Sequence, residues 1–383
     1  MNESLSKVIG NVAGTEDFSG VLAFALIACI VAFLLSPIFI KILYRFGVVR
    51  KNHGDATLIG ADKQHKINTP TMGGLLVILV IAILTISFNW SRAYTYVPIG
   101  VMVLAASLGA VDDILNIFGG TRRRRTLKQT LVLARVHNSF LMRMWYYITL
   151  PWAAIRNLIM AFGSKQNRGV QAHEKLLLQF AAGAIAAWWI YFRLGEAWHS
   201  LTIPFIGTYV IGWWIIPIII GTVVFTANAV NIVDGLDGLT GGMLIPTFGA
   251  LSILSWLGGF QSLAILNACA LGALIAYTYF NIKPARFQMG DVGSLGLGAL
   301  LAINSLAIGQ IISLIFLAFM FYAEAISVII QVIGRYLFGR RIFKMAPLHH
   351  HLELSGWSEE KTIMRLWMIH LFFVILGMWL GMH

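Results

Sequence analysis

The sequence predicts an all-α, polytopic membrane protein, and three observations carry that prediction. Of its 383 residues, 58% are hydrophobic and only 11% charged, far more apolar side chain than a soluble domain of this length needs for its core. Apolar runs of about 20 residues, the length that crosses a hydrocarbon layer, recur near 19–41, 70–90, 95–115, 174–194, 207–228, 239–258, 261–281, 294–310, 311–334 and 363–382. The basic residues are also sorted by side. With the N-terminus outside, the loops 41–69, 116–175, 282–293 and 335–365 are cytoplasmic and hold 25 of the 28 Lys and Arg, leaving Lys7, Arg92 and Arg193 for the other face.

The first run follows a polar stretch with Glu3, Glu16 and Asp17 and has no small-residue cleavage site, so it reads as a retained span rather than a signal peptide. Cys29 and Cys269 fall inside apolar runs and imply no disulfide framework. A net charge of +12 would suit nucleic acid if it formed one patch, but its sorting between faces points to membrane topology and to no nucleic-acid partner. Without a soluble domain, a low-complexity tract or an inverted repeat, 1–383 reads as one transmembrane domain.

Within it, 119–168 is a basic, aromatic segment. Its most apolar part, Met144 to Ile155, lies between Arg143 and Arg156 and is too short to span. A single crossing there would also turn every later loop to the wrong side. The segment reads as a basic amphipathic cytoplasmic insertion whose Trp, Tyr and Leu side chains lie in the interface while its arginines meet anionic membrane lipids. A small helical hairpin packed on the protein is the alternative.

Ionisable groups near lipid are costly, so acidic residues at span ends are candidates for chemistry. Asp112 and Asp113 end the third run in "GAVDDILN", Asp234 and Asp237 stand in "NAVNIVDGLDGL", and Asp291 opens "MGDVGSLGLG". All five fall on the cytoplasmic side, from three loops. Oxygen donors without Cys or zinc-type His spacing suit a hard cation such as Mg²⁺, which commonly bridges to substrate phosphates. Adjacent Asp112 and Asp113 project about 100° apart on one helix, so they serve different roles. Asn228, Asn231, Asp234 and Asp237 recur every third residue and form a slanted polar stripe if the helix continues through them.

Two basic motifs complete the set. His349, His350 and His351 in "MAPLHHHLE" are internal and lack a neighbouring Cys or HExxH pattern, which favours donors to pyrophosphate or sugar over a metal site. In "HKINTPTMGG", Lys66 precedes a helix start and reads either as a phosphate ligand or as a juxtamembrane charge.

"TPTMGG", "GAVDDILN", "NAVNIVDGLDGL", "MGDVGSLGLG", "EAISV" and "RIFKMAPLHHHLELSGW" occur in an order that resembles the phospho-N-acetylmuramoyl-pentapeptide transferases, over most of the chain outside 119–168. The triple-His block separates that family from the related N-acetylhexosamine-1-phosphate transferases, which share the aspartate motifs. The resemblance implies transfer of phospho-MurNAc-pentapeptide from UDP-MurNAc-pentapeptide to undecaprenyl phosphate with Mg²⁺, releasing UMP in peptidoglycan synthesis. It also implies a multi-pass protein of the bacterial inner membrane, with ten spans, both termini outside, a cytoplasmic active site and a homodimer.

By motif position the resemblance makes Asp291 the metal ligand and Asp112 and Asp113 the pair for the acceptor phosphate or for catalysis. It assigns Lys66, Thr71, Lys175, Asn228, Asn231, Asp234, Asp237, Phe287 and His349 to His351 to substrate binding. Three positions depart from the family pattern. Asn116 stands where DDxxK has lysine, so that charge is absent or comes from Lys175 or the inserted basic run. Gln288 stands where an aromatic precedes "MGD", with Phe287 one earlier. Lys63 stands where a histidine precedes the loop lysine, with His65 displaced.

The rival from another class is an ion-coupled transporter, which predicts carboxylates near mid-span. Here the five aspartates sit at span ends, and only Glu324 lies deeper in an apolar run.

Overall fold

The computed structural model describes residues 18–49, 68–118, 127–136, 139–150 and 172–383. Its helices are α1 (Phe18–Arg45), α2 (Gly74–Phe88), α3 (Tyr96–Phe118), α4 (Leu127–Val136), α5 (Phe140–Ile148), α6 (Ala172–Arg193), α7 (Ile215–Val233), α8 (Leu239–Leu257) and α9 (Gln261–Asn281). They continue with α10 (Gly290–Ala307), α11 (Ile311–Leu317), α12 (Phe319–Phe338), α13 (Leu348–Glu353) and α14 (Glu359–Gly381). Among the described residues nine helices are long and apolar enough to cross a membrane, and α2, at 15 residues, is a shorter apolar helix in the second expected run. The chain is thus an all-α, multi-pass membrane protein, as its composition predicts.

The helices are sorted by burial around α10. The most apolar window of α10 is 94% buried, that of α1 only 28%. Helix α10 packs on α3, α7 and α2, while α1 lies against α9 and turns Leu26, Ile30 and Leu34 outward. Outward leucines cost nothing in lipid, whose tails are as apolar as they are. Helix α10 can sit centrally because small residues let backbones approach. At Gly109 on α3, a Cβ would collide with the backbone of Asp291 and Val292.

Two expected runs end differently in three dimensions. The fifth, 207–228, opens with a hairpin strand: β1 (Ser200–Ile203) pairs antiparallel with β2 (Gly207–Val210), and α7 begins only at Ile215. Gly207 and Gly212 have φ of 132° and 54°, conformations that interrupt a helix and favour glycine. The ninth run is split at Ala318 into α11 and α12. The carbonyl freed there, on Leu317, accepts the Thr247 hydroxyl at 3.0 Å, which satisfies a group that would be costly inside a bilayer.

Of the segment 119–168, only α4, α5 and the residues 139, 149 and 150 lie within the described part. Phe140, Leu141, Trp145 and Ile148 of α5 are exposed, and Tyr146 is buried. Lys66, Lys63 and His65 lie outside the described residues.

Candidate active site

The site forms where α3, α6, α7 and α10 meet. Asp112 and Asp113 project to different partners, as their angular separation on one helix requires. Asp113 is buried and accepts the Val292 N–H at 3.1 Å, capping the first turn of α10 from a different helix. An anionic cap there satisfies a free amide and meets the positive end of the helix dipole. Asp112, also buried, contacts the ammonium of Lys175.

Lys175, near the start of α6, also bonds Asp291 Oδ2 at 2.6 Å. One ammonium therefore bridges two carboxylates from different helices. The basic partner that Asn116 does not supply is provided from a position 116 residues away from Asp291 along the chain. The other oxygen of Asp291, Oδ1, accepts Asn231 Nδ2 at 2.9 Å, and the same nitrogen lies 2.8 Å from Ser294 Oγ.

The NxxNxxDxxD stripe is only half helical. Asn228 and Asn231 lie on α7, which ends at Val233, and Asp234 and Asp237 fall in the turn before α8. Asn231 reaches the aspartates, whereas Asn228 pairs with Gln179 on α6, at 2.7 Å from its Nδ2 to the glutamine oxygen. Asp234 accepts the Gly290 N–H at 3.1 Å, and Asp237 accepts Ala285 N–H at 3.3 Å. The stripe thus braces the loop leading into α10, and Asn231 extends to Asp291 itself.

The 68–73 loop closes the other side. Gly73 N–H donates to Gln288 O at 2.7 Å, Gly74 N–H to Met289 O at 2.9 Å, and Gln288 N–H to Pro70 O at 2.8 Å. Thr71 lies against Gly290, where a Cβ would sit 3.0 Å from its Oγ1. Phe287 is fully buried, 5.0 Å from the Tyr277 ring and 6.4 Å from that of Phe280 between centroids. Its ring forms the floor under Gly73 and lies in the core.

The three histidines have separate surroundings. His349 is buried and its Nδ1 lies 3.2 Å from Glu324 Oε2. His350 Nδ1 is 2.7 Å from Glu353 Oε2 on its own helix, and His351 Nδ1 accepts the Lys344 N–H at 3.2 Å. The loop carrying them is also gripped by Gln331 of α12, whose Oε1 accepts the N–H groups of Ile342 and Phe343 at 3.0 and 2.9 Å and whose Nε2 donates to Phe343 O at 3.0 Å. Gln179, Ser294, Glu324 and Gln331 take part in these contacts without standing out as site residues in the sequence. Glu324 and Gln331 left one signal: seven residues apart in an apolar helix, they share a face.

Within the described residues no three His, Cys, Asp or Glu form a ready-made metal cage. The donors nonetheless fit a divalent cation held partly by substrate. Asp112 and Asp291 turn carboxylate oxygens onto one cation already, the Lys175 ammonium, and Mg²⁺ is bound through one or two carboxylates plus phosphates and water.

The chain matches the family model described as glycosyl transferase family 4 over residues 95–309. It is 32% identical over 361 residues to the phospho-N-acetylmuramoyl-pentapeptide-transferase of Halalkalibacterium halodurans, covering 93% of this chain and 95% of that one. The protein of the same name from Oceanobacillus iheyensis is 33% identical over 375 residues, 95% of this chain and 98% of that one. Its counterpart in Chloroflexus aurantiacus is 36% identical over 324 residues, 82% of this chain and 75% of that one. With more than half of the chain inside the family model and the first two of these relatives aligned nearly end to end, the chain belongs to glycosyl transferase family 4 and, within it, to the phospho-N-acetylmuramoyl-pentapeptide-transferases.

Proposed function

We propose that this chain transfers phospho-MurNAc-pentapeptide from UDP-MurNAc-pentapeptide to undecaprenyl phosphate, releasing UMP and forming the first lipid intermediate of peptidoglycan synthesis. The observation that carries the reading is the Asp112–Lys175–Asp291 bridge beside the histidine loop, in a chain with these relatives. The active site faces the cytoplasm, a reading supported by the loops holding 25 of the 28 Lys and Arg.

An oxygen of the lipid phosphate attacks the phosphorus that carries MurNAc, and the bond to the bridging oxygen breaks so that UMP leaves with it. Asp112 and Asp291 would hold Mg²⁺, which would supply charge neutralisation on the diphosphate. Lys175 keeps the two carboxylates together and balances their charge. Asp113 and Asp234 hold the first turn of α10, so that Asp291 enters the site in a fixed direction. Asn231 fixes the Asp291 carboxylate, and His349 faces the diphosphate. Catalysis is then mainly positioning and charge stabilisation.

The test is UMP release by purified protein given UDP-MurNAc-pentapeptide, undecaprenyl phosphate and Mg²⁺, with UDP-GlcNAc as a competing donor. Turnover of the MurNAc donor, abolished by chelator and restored by Mg²⁺, is expected. Consumption of UDP-GlcNAc alone would make the chain an N-acetylhexosamine-1-phosphate transferase. A trapped covalent phospho-enzyme would replace direct attack with two steps.

A further inference from the structure

Glu324 is an acidic residue to which the proposed reaction gives no task. It lies in α12, fully buried, inside a run long and apolar enough to cross a membrane. A carboxylate there is costly unless its oxygens are satisfied. Among the described residues every hydrogen bond to those oxygens comes from one neighbour. The His349 backbone N–H lies 3.1 and 3.2 Å from Oε1 and Oε2, and His349 Nδ1 lies 3.2 Å from Oε2.

With Glu324 ionised, that arrangement selects one tautomer of the imidazole. A carboxylate only accepts, so Nδ1 carries a hydrogen and donates it. What remains of the ring is Nε2, which is buried and has no hydrogen-bond partner among the described residues. It is aimed at the turn between α7 and α8: a Cβ on Gly235 would sit 2.8 Å from it. Only the absence of a side chain at Gly235 lets the ring come this close, and the adjacent Asp234 holds the Gly290 amide at the start of α10. An uncompensated buried nitrogen is costly, and such a cost persists where a ligand removes it.

We infer that Glu324 is a positioning residue: it fixes His349 by backbone and Nδ1 together, so that Nε2 presents one hydrogen-bonding group to an anionic phosphoryl oxygen seated over Gly235. In its protonated form the ring gives the Nε2–H to that oxygen. Gln331, two helical turns along the same face of α12, holds Ile342 and Phe343, so the loop hangs from one rigid helix at two points. The same logic governs histidines whose far nitrogen a buried carboxylate orients. The inference rests on the reading that His349 faces substrate phosphate.

Steady-state kinetics of Glu324→Gln, His349→Asn and the double variant test it, with UDP-MurNAc-pentapeptide varied at saturating lipid. Each single substitution lowers kcat/KM for the donor by about 10–100-fold, the usual effect of losing such an orienting partner. The double variant falls within about twofold of His349→Asn, because Glu324 acts through that ring. Losses that multiply, or an unimpaired Glu324→Gln beside an impaired His349→Asn, overturn the role of Glu324 alone. A wild-type His349→Asn instead overturns the phosphate-facing reading beneath it. Histidine ¹⁵N spectra of the unmodified protein, assigned by the resonance that His349→Asn removes, are expected to show Nδ1 protonated. A bare Nδ1 overturns the inference whatever the variants' folding.

Discussion

The aspartate wall and the histidine wall meet at the turn between α7 and α8, and they are built on different plans. The aspartate wall is distributed. Asp112 comes from α3, Lys175 from α6, Asn231 from α7 and Asp291 from α10, and each side chain touches another from a different helix. The histidine wall is suspended, since the side chains that hold its loop, Glu324 and Gln331, both come from α12. In the first plan a charge lost at one corner leaves others buried and unbalanced. In the second, a lost contact loosens one loop and leaves the four-helix junction standing.

The largest blow to the distributed wall is Asp291→Asn. It removes the carboxylate shared by Lys175 and Asn231, and with it a proposed oxygen donor to Mg²⁺. We expect UMP release to fall by about 10³-fold, the scale of losing a group aimed at developing charge, with added Mg²⁺ failing to restore it. Turnover near wild type would remove Asp291 from the metal site. Next is Asp113→Asn, which keeps an acceptor for the Val292 amide but drops the charge at the α10 N-terminus. Loss of that charge costs about 0.3–2 kcal/mol. We expect a lower melting temperature with an activity loss of about tenfold, well short of the effect at Asp291. If both substitutions inactivated equally, the division of labour between Asp291 and Asp113 would collapse.

The smallest expected effect is at the rim. Lys283 joins the loop before α10 to the start of α14 through Glu360 at 2.7 Å and Glu359 at 3.2 Å. Its hydrogen bond to Glu360 holds its ammonium above the ordinary lysine range. A raised lysine value contributes stability that is whole at neutral pH and fades only on the strongly alkaline side. The exposed pair with Glu360 contributes about 0–1 kcal/mol and lies away from the aspartates, so Lys283→Met should change donor turnover by less than about twofold. A large loss would mean that the aspartate wall depends on the rim and is less self-contained than its internal contacts imply.

Much of this was legible along the chain. Composition and apolar runs gave an all-α membrane protein, and the motifs singled out Asp112, Asp113, Lys175, Asn231, Asp291 and His349, which the structure groups around one junction. Other residues were legible in type but not in task. Asn228 reads like Asn231 in the stripe, yet one faces Gln179 and the other Asp291, because three residues on a helix carry a side chain most of a turn around its axis. Phe287 reads as an aromatic beside the site and is packed beneath it. Glu324 reads as an isolated acid in lipid and proves to be paired with a histidine 25 residues onward.

By itself the sequence determined which segments are apolar, where their polar ends lie, which side the positive charge favours, and which residue types gather at those ends. These are properties of local chemistry against a bilayer, and each is written within about 20 residues. Only the tertiary structure decided that Lys175 bridges Asp112 and Asp291, that Asp113 caps α10, and that Glu324 turns His349 toward Gly235. Those pairings depend on which helices touch and at what height. Contact between helices is set by the summed fit of many small residues, Gly109 among them, and no spacing along the chain records that sum.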